Sequence, residues 1–339
     1  MMTDLLVMKE RLKIFYGKYE IYITPFLKFV LALISLFAIN QNIGYMYRLK
    51  NPAIVLVVAL LCSFLPINII IIFGALFVIL HLYTLSMECA IVVLVLFLLM
   101  FLLYFRFSPK DTLAVLLTPV CFALHIPYVV PLAAGFMGTP LSTISVSGGV
   151  IVYYVLNYIK LNSSTLGNLE ADSVVQKFKY VVDGIINNKA MLVTVIAFSI
   201  TVVVVYLIRR LSVDYSWRIA TIAGVITNVI IILFGDFFMD LNVSIIGTIL
   251  GNLISILLIM ILQFFVFSVD YSRTEFVQFE DDEYYYYVKA IPKMMIATPE
   301  KKIKRINPQK QTQLKNSDKV LNPDRVIKKR GLDEDFDIR

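Results

Sequence analysis

The most chemically suggestive stretch of the chain is GFMGTPLSTISVSGG, residues 135–149, which places small residues and hydroxyls inside a long apolar region. Its candidate site residues are glycines and hydroxyl-bearing side chains: Gly135, Gly138, Thr139, Ser142, Thr143, Ser145, Ser147 and Gly148. Glycines allow close backbone approach, whereas hydroxyls and freed carbonyls are neutral ligands for a cation, a file of water or a small polar solute. The stretch therefore predicts the lining of a solute or ion path.

Close helix packing is the alternative interpretation of the same residues. Small residues in transmembrane helices let neighbouring helices approach, and Ser or Thr can bond to the preceding helical turn. The GxxxG pattern formed by Gly247 and Gly251 is assigned to packing for this reason. Both interpretations of residues 135–149 stay open at this point.

Two titratable residues are added to the candidate path. His125 directly precedes Ile126-Pro127 in a broken apolar segment, which favours either a cavity lining or a buried, hydrogen-bonded structural role. Asp236 lies about one turn before the DLN bend at 240–242, so we expect it at the outer membrane interface. Facing inward, it would instead bind a proton or a cation.

No metal site or cofactor is expected from this sequence. His81 and His125 are the only histidines, and neither has a second ligand at helical spacing. Cys62, Cys89 and Cys121 lie singly in apolar segments without CxxC spacing, which is typical of buried thiols.

We also expect no enzymatic activity and no catalytic residues. The SVSGG sequence at 145–149 superficially resembles the GxSG motif of rhomboid proteases, but Ser145 occupies the place of the first glycine. A serine nucleophile needs a base within hydrogen-bond reach, and both histidines precede this serine instead of following it as in that family. The chain also lacks the GxxxxGK[ST] motif of a phosphate-binding ATPase.

The elements that position these residues are membrane helices. Hydrophobic residues make up 59% of the 339 residues and charged residues 16%, which indicates an all-α polytopic membrane protein. Six apolar runs are long enough to be single spans, at 25–40, 88–105, 141–159, 190–208, 219–239 and 243–267.

Two further units, 53–83 and 112–138, are broken at Pro66 and Pro127. Proline cannot donate a backbone hydrogen bond, and it disfavours helix in the residue before it. The pieces are too short to span alone, so each unit is predicted to be a re-entrant hairpin or a pair of tilted spans. Pro66 and Gly74 recur as Pro127 and Gly135 at the same offset, which indicates an inverted repeat.

The predicted domains follow from these runs and from the amino-acid composition of the segments around them. Around the membrane domain 25–160 and the three-span segment 190–268, they are an interfacial helix at 1–24, a surface amphipathic helix at 161–189, a β-hairpin at 269–296 and a basic disordered tail at 297–339. Short loops on the side of the amino terminus carry nine Lys or Arg against six on the other side. This bias predicts that both termini, and therefore the hairpin, are cytoplasmic.

The function expected from the sequence is an integral permease or channel-like subunit of a bacterial-type cytoplasmic (inner) membrane, moving a small solute or ion. The expected surroundings are membrane lipid. A partner ATPase in the cytoplasm or an ion gradient would supply the energy for transport. The protein could form a homo-oligomer, and we expect no binding to nucleic acid. The alternative is a non-transporting scaffold that recruits cytoplasmic partners through the hairpin and the basic tail.

Overall fold

The structure is a computed structural model that describes residues 2–168, 174–241, 243–267, 275–280 and 285–290. The predicted disordered tail, 297–339, and the turn of the predicted hairpin lie outside these ranges. The described helices are α1 (Met2–Ile43), α2 (Pro52–Phe64), α3 (Ile69–Leu85), α4 (Met87–Phe107), α5 (Thr112–Ala123), α6 (Val129–Met137), α7 (Ser142–Leu161), α8 (Ser163–Asn168), α9 (Val174–Ile186), α10 (Lys189–Arg209), α11 (Ser216–Met239) and α12 (Ile245–Phe267).

Six helical segments of the described residues are long and apolar enough to cross a membrane; five lie in α1, α4, α7, α11 and α12, and the sixth, Val175–Arg209, covers α9 and α10. They overlap the six single spans expected from the sequence, so the prediction of an all-α, multi-pass membrane protein is confirmed. The helices of the two proline-broken units, α2, α3, α5 and α6, are shorter. At ~1.5 Å per residue, the longest of them rises about 26 Å and the shortest about 14 Å.

The α2–α3 unit is a helical hairpin that begins and ends beside the carboxyl end of α1. Asn40 of α1 donates to the carbonyl of Leu49, just before α2, at 2.9 Å, and contacts His81 near the end of α3 at 2.7 Å. The break between the two helices lies at the other end of the unit, where Lys28 donates to the carbonyl of Leu65 at 3.1 Å.

The α5–α6 unit is a second helical hairpin, and both of its ends lie beside the start of α7. Ser108, which precedes α5, hydrogen-bonds Ser145 at 2.7 Å, and Gly138 directly follows α6. Because Lys160 at the end of α7 contacts Asn42 at the end of α1, the two hairpins open toward opposite ends of the bundle. An inverted repeat would have this arrangement, although the repeat itself stays a prediction.

The turn of the second hairpin contains a left-handed residue. His125 has a φ of 61°, which is uncommon for a residue that is not glycine. Its amide donates to the carbonyl of Phe122 at 3.1 Å, and the amide of Ile126 donates to Cys121 at 2.9 Å. These bonds end α5 in a tight turn, after which Pro127 leads into α6.

The amphipathic stripe predicted for the surface helix lies against protein. In α9, Val181 and Ile185 are buried in the same core cluster as Cys89 of α4 and Leu156 of α7. Lys177, on the same helix, is only 8% exposed. The predicted boundary at residue 24 also differs, since α1 runs through it and its backbone departs from helical geometry at Tyr19 instead.

Two antiparallel strands, β1 (Glu275–Glu280) and β2 (Tyr285–Ala290), pair from Glu275↔Ala290 to Glu280↔Tyr285. They belong to a compact unit separate from the helices. Their cytoplasmic location stays a prediction.

Two glycines of the 135–149 stretch are closely packed against neighbouring helices. A Cβ atom on Gly135 would lie 2.7 Å from the Cβ of Val205 on α10. A Cβ atom on Gly149 would lie 2.5 Å from the Cβ of Thr118 and 3.0 Å from the carbonyl oxygen of Val115, both on α5. These positions let α6 and α7 approach their neighbours at backbone distance.

Substituting Gly149→Ala should separate α5 from α7 and destabilise the protein by about 1–3 kcal/mol, as overpacking does in well-packed cores. The neighbouring Gly148→Ala is the matched control. There the new Cβ meets only the flexible end of Met100, at 3.1 Å. Thermal unfolding of both purified variants in one detergent measures the difference, and equal melting temperatures would contradict the packing described here.

Candidate functional site

A cleft with a volume of about 1030 Å³ lies between α1, α3, α4, α5, α7 and α10. Its lining follows α7 from Thr143 to Lys160, a helical rise of about 26 Å at ~1.5 Å per residue. Apolar side chains form most of the wall, as in pockets that bind ligands with a large apolar part. We call its two ends the Thr143 end and the Lys160 end.

The Lys160 end is polar. Lys160 donates to the side-chain oxygen of Asn42 at 3.3 Å, and Asn42 donates to the carbonyl of Ala38 at 3.0 Å. Gln41 and Asn157 also line this end. Among the described residues that line the cleft, Lys160 alone carries a fixed charge.

Hydroxyls occupy the middle of the cleft. Ser147 of α7 and Ser199 of α10 form a hydrogen bond at 3.1 Å. Across the cleft, Ser35 of α1 is 5% exposed, and its buried hydroxyl oxygen has no hydrogen-bond partner. A buried polar group without a partner costs free energy, so a turn of the Ser35 side chain toward the cleft would be favoured by a polar ligand atom that accepts its hydrogen bond.

At the Thr143 end, a hydrogen-bond network joins the two broken units. The hydroxyl of Tyr104, near the end of α4, lies 3.2 Å from the side-chain oxygen of Asn68, 3.1 Å from the carbonyl of Pro109 and 2.9 Å from the hydroxyl of Thr112. Thr112 in turn donates to Asn68. Asn68 belongs to the break between α2 and α3, whereas Thr112 begins α5. Sequence reasoning missed this network.

Half of the predicted path residues line the cleft, namely His125, Thr143, Ser145, Ser147 and Gly148. The other half lie elsewhere: Gly135, Gly138, Thr139, Ser142 and Asp236. The structure therefore divides the predicted site into a part that faces the cleft and a part that does not.

The residues between α6 and α7 stabilise a helix break. Ser142 accepts a hydrogen bond from the amide of Thr139 at 3.0 Å, and Thr143 donates to the carbonyl of Pro140. Arg209 of α10 donates to the carbonyl of Gly138 at 2.8 Å. These partners satisfy backbone groups that the break frees.

Asp236 caps a turn. Its carboxylate accepts a hydrogen bond from the amide of Val243 at 2.9 Å, in the link that precedes α12. Of the two GxxxG glycines, Gly251 lies against the ring of Tyr128, since a Cβ atom on Gly251 would be 2.7 Å from Cε2 of that ring. Gly247 is exposed, and the atoms nearest to a Cβ there belong to Ser244.

His81 forms a second buried network that the sequence did not predict. It is fully buried, its Nδ1 accepts a hydrogen bond from the amide of Met46 at 3.0 Å, and its Nε2 lies 2.7 Å from the side-chain oxygen of Asn40. Since a backbone amide can only donate, Nδ1 is unprotonated and Nε2 carries the hydrogen. This neutral histidine fastens the link between α1 and α2 to α3.

Within the described residues, no three His, Cys, Asp or Glu side chains are grouped so as to hold a metal ion. The chain matches no protein-family model, no curated protein and no solved structure.

Replacing Tyr104→Phe should destabilise the protein by about 1–3 kcal/mol, because the buried Thr112 hydroxyl loses a hydrogen-bond partner and the hydrogen-bonded link between the two hairpins weakens. Tyr83→Phe is the control, since that side chain is 63% exposed. Thermal unfolding in detergent compares the two. An unchanged melting temperature for Tyr104→Phe would show that the network does not hold the hairpins together.

Proposed function

We propose that the protein is a non-enzymatic permease subunit that moves a solute along the cleft between its Thr143 and Lys160 ends. The observation that supports this most directly is the length of the cleft. Its lining along α7 covers about 26 Å, close to the ~30 Å thickness of the hydrocarbon layer. A cleft of this length gives a solute protein contacts through nearly the full depth of a bilayer.

The side chains in the cleft favour a solute with a large apolar part over a bare ion. Ser145 and Ser147 are already bonded to Ser108 and Ser199, and Thr143 is bonded to a carbonyl. An ion would have to displace these bonds, whereas an apolar chain would contact the surrounding aliphatic and aromatic wall directly.

The direction of the path follows from the charge bias of the loops. With the amino terminus in the cytoplasm, the Thr143 end faces the cytoplasm and the Lys160 end faces outward, in a cytoplasmic membrane with both termini inside. The α5–α6 hairpin would then enter from the cytoplasmic side and return to it as a re-entrant unit. Its turn, at His125, would end beside the cleft within the membrane.

A scaffold is the second candidate, and one observation favours it. Tyr285 and Tyr287 on β2 are 69% and 76% exposed. Alternate residues on a strand point to the same face, and exposed aromatic residues in such a pair are suited to binding a protein partner. Deleting residues 270–339 should abolish the role of a scaffold and leave a solute path intact.

Cysteine labelling tests the solute path. In a background with Cys62, Cys89 and Cys121 replaced by alanine, Thr143→Cys, Ser147→Cys and Asn157→Cys should each react with a small, charged thiol reagent added to membranes. Ser255→Cys is the control, because Ser255 is fully buried in α12 and bonded to the carbonyl of Gly251.

The pattern of labelling decides between the two functions. Reaction of the three cleft positions, with a silent control, supports a path that is open to solute. Silence at all three positions, in cells and in inverted vesicles alike, would contradict the permease and leave the scaffold.

A further inference from the structure

We propose that the cleft binds a single-chain anionic amphiphile, with its phosphate at the Lys160 end and its acyl chain directed toward the Thr143 end. This inference rests on the proposed function and names the class of solute for that path. The expected ligand is a lysophospholipid-type molecule, in which an ester links one acyl chain to a phosphate-bearing headgroup.

The charge of the cleft selects an anion. Among the described residues of its lining, the one fixed charge is the ammonium of Lys160, and no carboxylate is present. A hydrogen bond between an ammonium and a phosphate is charge-assisted and stronger than the bond that Lys160 makes to the neutral Asn42. The amides of Gln41 and Asn157 add further donors at the same end.

The apolar wall and the length of the cleft suit an extended acyl chain. The wall below Lys160 is built mainly from aliphatic and aromatic residues of α4, α5 and α7, and it continues to Thr143 over about 26 Å. Phe122 and Tyr153 stack at 4.2 Å on this wall and present flat apolar surface. An extended acyl chain can contact such a surface along its whole length.

The unpartnered hydroxyl of Ser35 favours an ester between the headgroup and the acyl chain of the ligand. Ser35 lies seven residues before Asn42 on α1. At ~1.5 Å per residue, it is therefore about 10 Å from the headgroup site along the axis of that helix. It is 5% exposed and its Oγ has no partner. With the Ser35 side chain turned toward the cleft, an ester carbonyl between headgroup and chain would accept its hydrogen bond, whereas a plain hydrocarbon chain would leave it unsatisfied.

The direct test is binding of a long-chain monoacylglycerol phosphate to the purified full-length protein in detergent, measured by native mass spectrometry and by thermal shift. Its uncharged analogue is the corresponding monoacylglycerol, and its ester-free analogue is an alkyl phosphate of equal chain length. The wild-type protein should bind the monoacylglycerol phosphate most tightly.

Substitutions of Lys160 and Ser35 test the contact with the phosphate and the contact with the ester separately. Lys160→Gln should weaken binding of both phosphates about tenfold, the range of a charge-assisted hydrogen bond, without changing binding of the monoacylglycerol. Ser35→Ala should weaken the ester-linked phosphate about fivefold and the alkyl phosphate much less. Lys189→Gln is the matched control, since that lysine is exposed at the start of α10 and does not line the cleft.

A purely structural role for Lys160 at the carboxyl end of α7 predicts a different result. Loss of the cation would then lower the melting temperature without ligand, and the preference for phosphate over the uncharged lipid would be unchanged. That result, or equal binding of all three lipids by the wild-type protein, would overturn the inference.

A protection experiment separates this inference from the permease itself. The monoacylglycerol phosphate should slow thiol labelling of Ser147→Cys when Lys160 is present, and much less when Lys160→Gln is added. Labelling that proceeds at an unchanged rate in the presence of the lipid would refute the amphiphile and leave the solute path standing. If Ser147→Cys, Thr143→Cys and Asn157→Cys all stay unlabelled, the path fails, while the binding measurements still decide whether the lipid is a ligand.

Discussion

The structure depends on one constraint: backbone groups freed where a helix breaks inside a membrane need partners from the protein, because lipid offers none. Both broken units meet this constraint with side chains. Lys28 donates to the carbonyl of Leu65 at the break between α2 and α3, and Arg209 donates to the carbonyl of Gly138 after α6. Basic side chains that would be costly as isolated charges in the bilayer thus offset the cost of the breaks.

The breaks also require close packing, which α10 provides for the second unit. Val205 lies against Gly135 of α6 and against Gly224 of α11, so one aliphatic residue fills the space left by two glycines. Thr118 occupies the equivalent position against Gly149 between α5 and α7. Small residues in this region therefore allow neighbouring helices to meet at short distance. The cleft begins where that packing ends, along the face of α7 that carries Ser147 and Gly148.

The sequence predicted the spans well, because the length and hydropathy of an apolar run are local properties. It also located both helix breaks, since proline acts on its own backbone and on the residue before it. Half of the residues predicted for a solute path line the cleft, and their role in a path stays a prediction. Ser147 stands in a run of hydroxyls that the sequence makes conspicuous, whereas Ser35 is a single serine in an apolar span and nothing in the sequence around Lys160 marks it as a ligand contact. Tyr104 and Asn68 are 36 positions apart, and only the folded chain brings them together.

The contact between Tyr128 and Gly251 has a mechanical consequence. The ring of Tyr128 fits into the notch that Gly251 leaves in α12, and His125, in the same turn, lines the cleft. A ligand that displaced this turn would push the ring against α12, so the turn and α12 would have to move together.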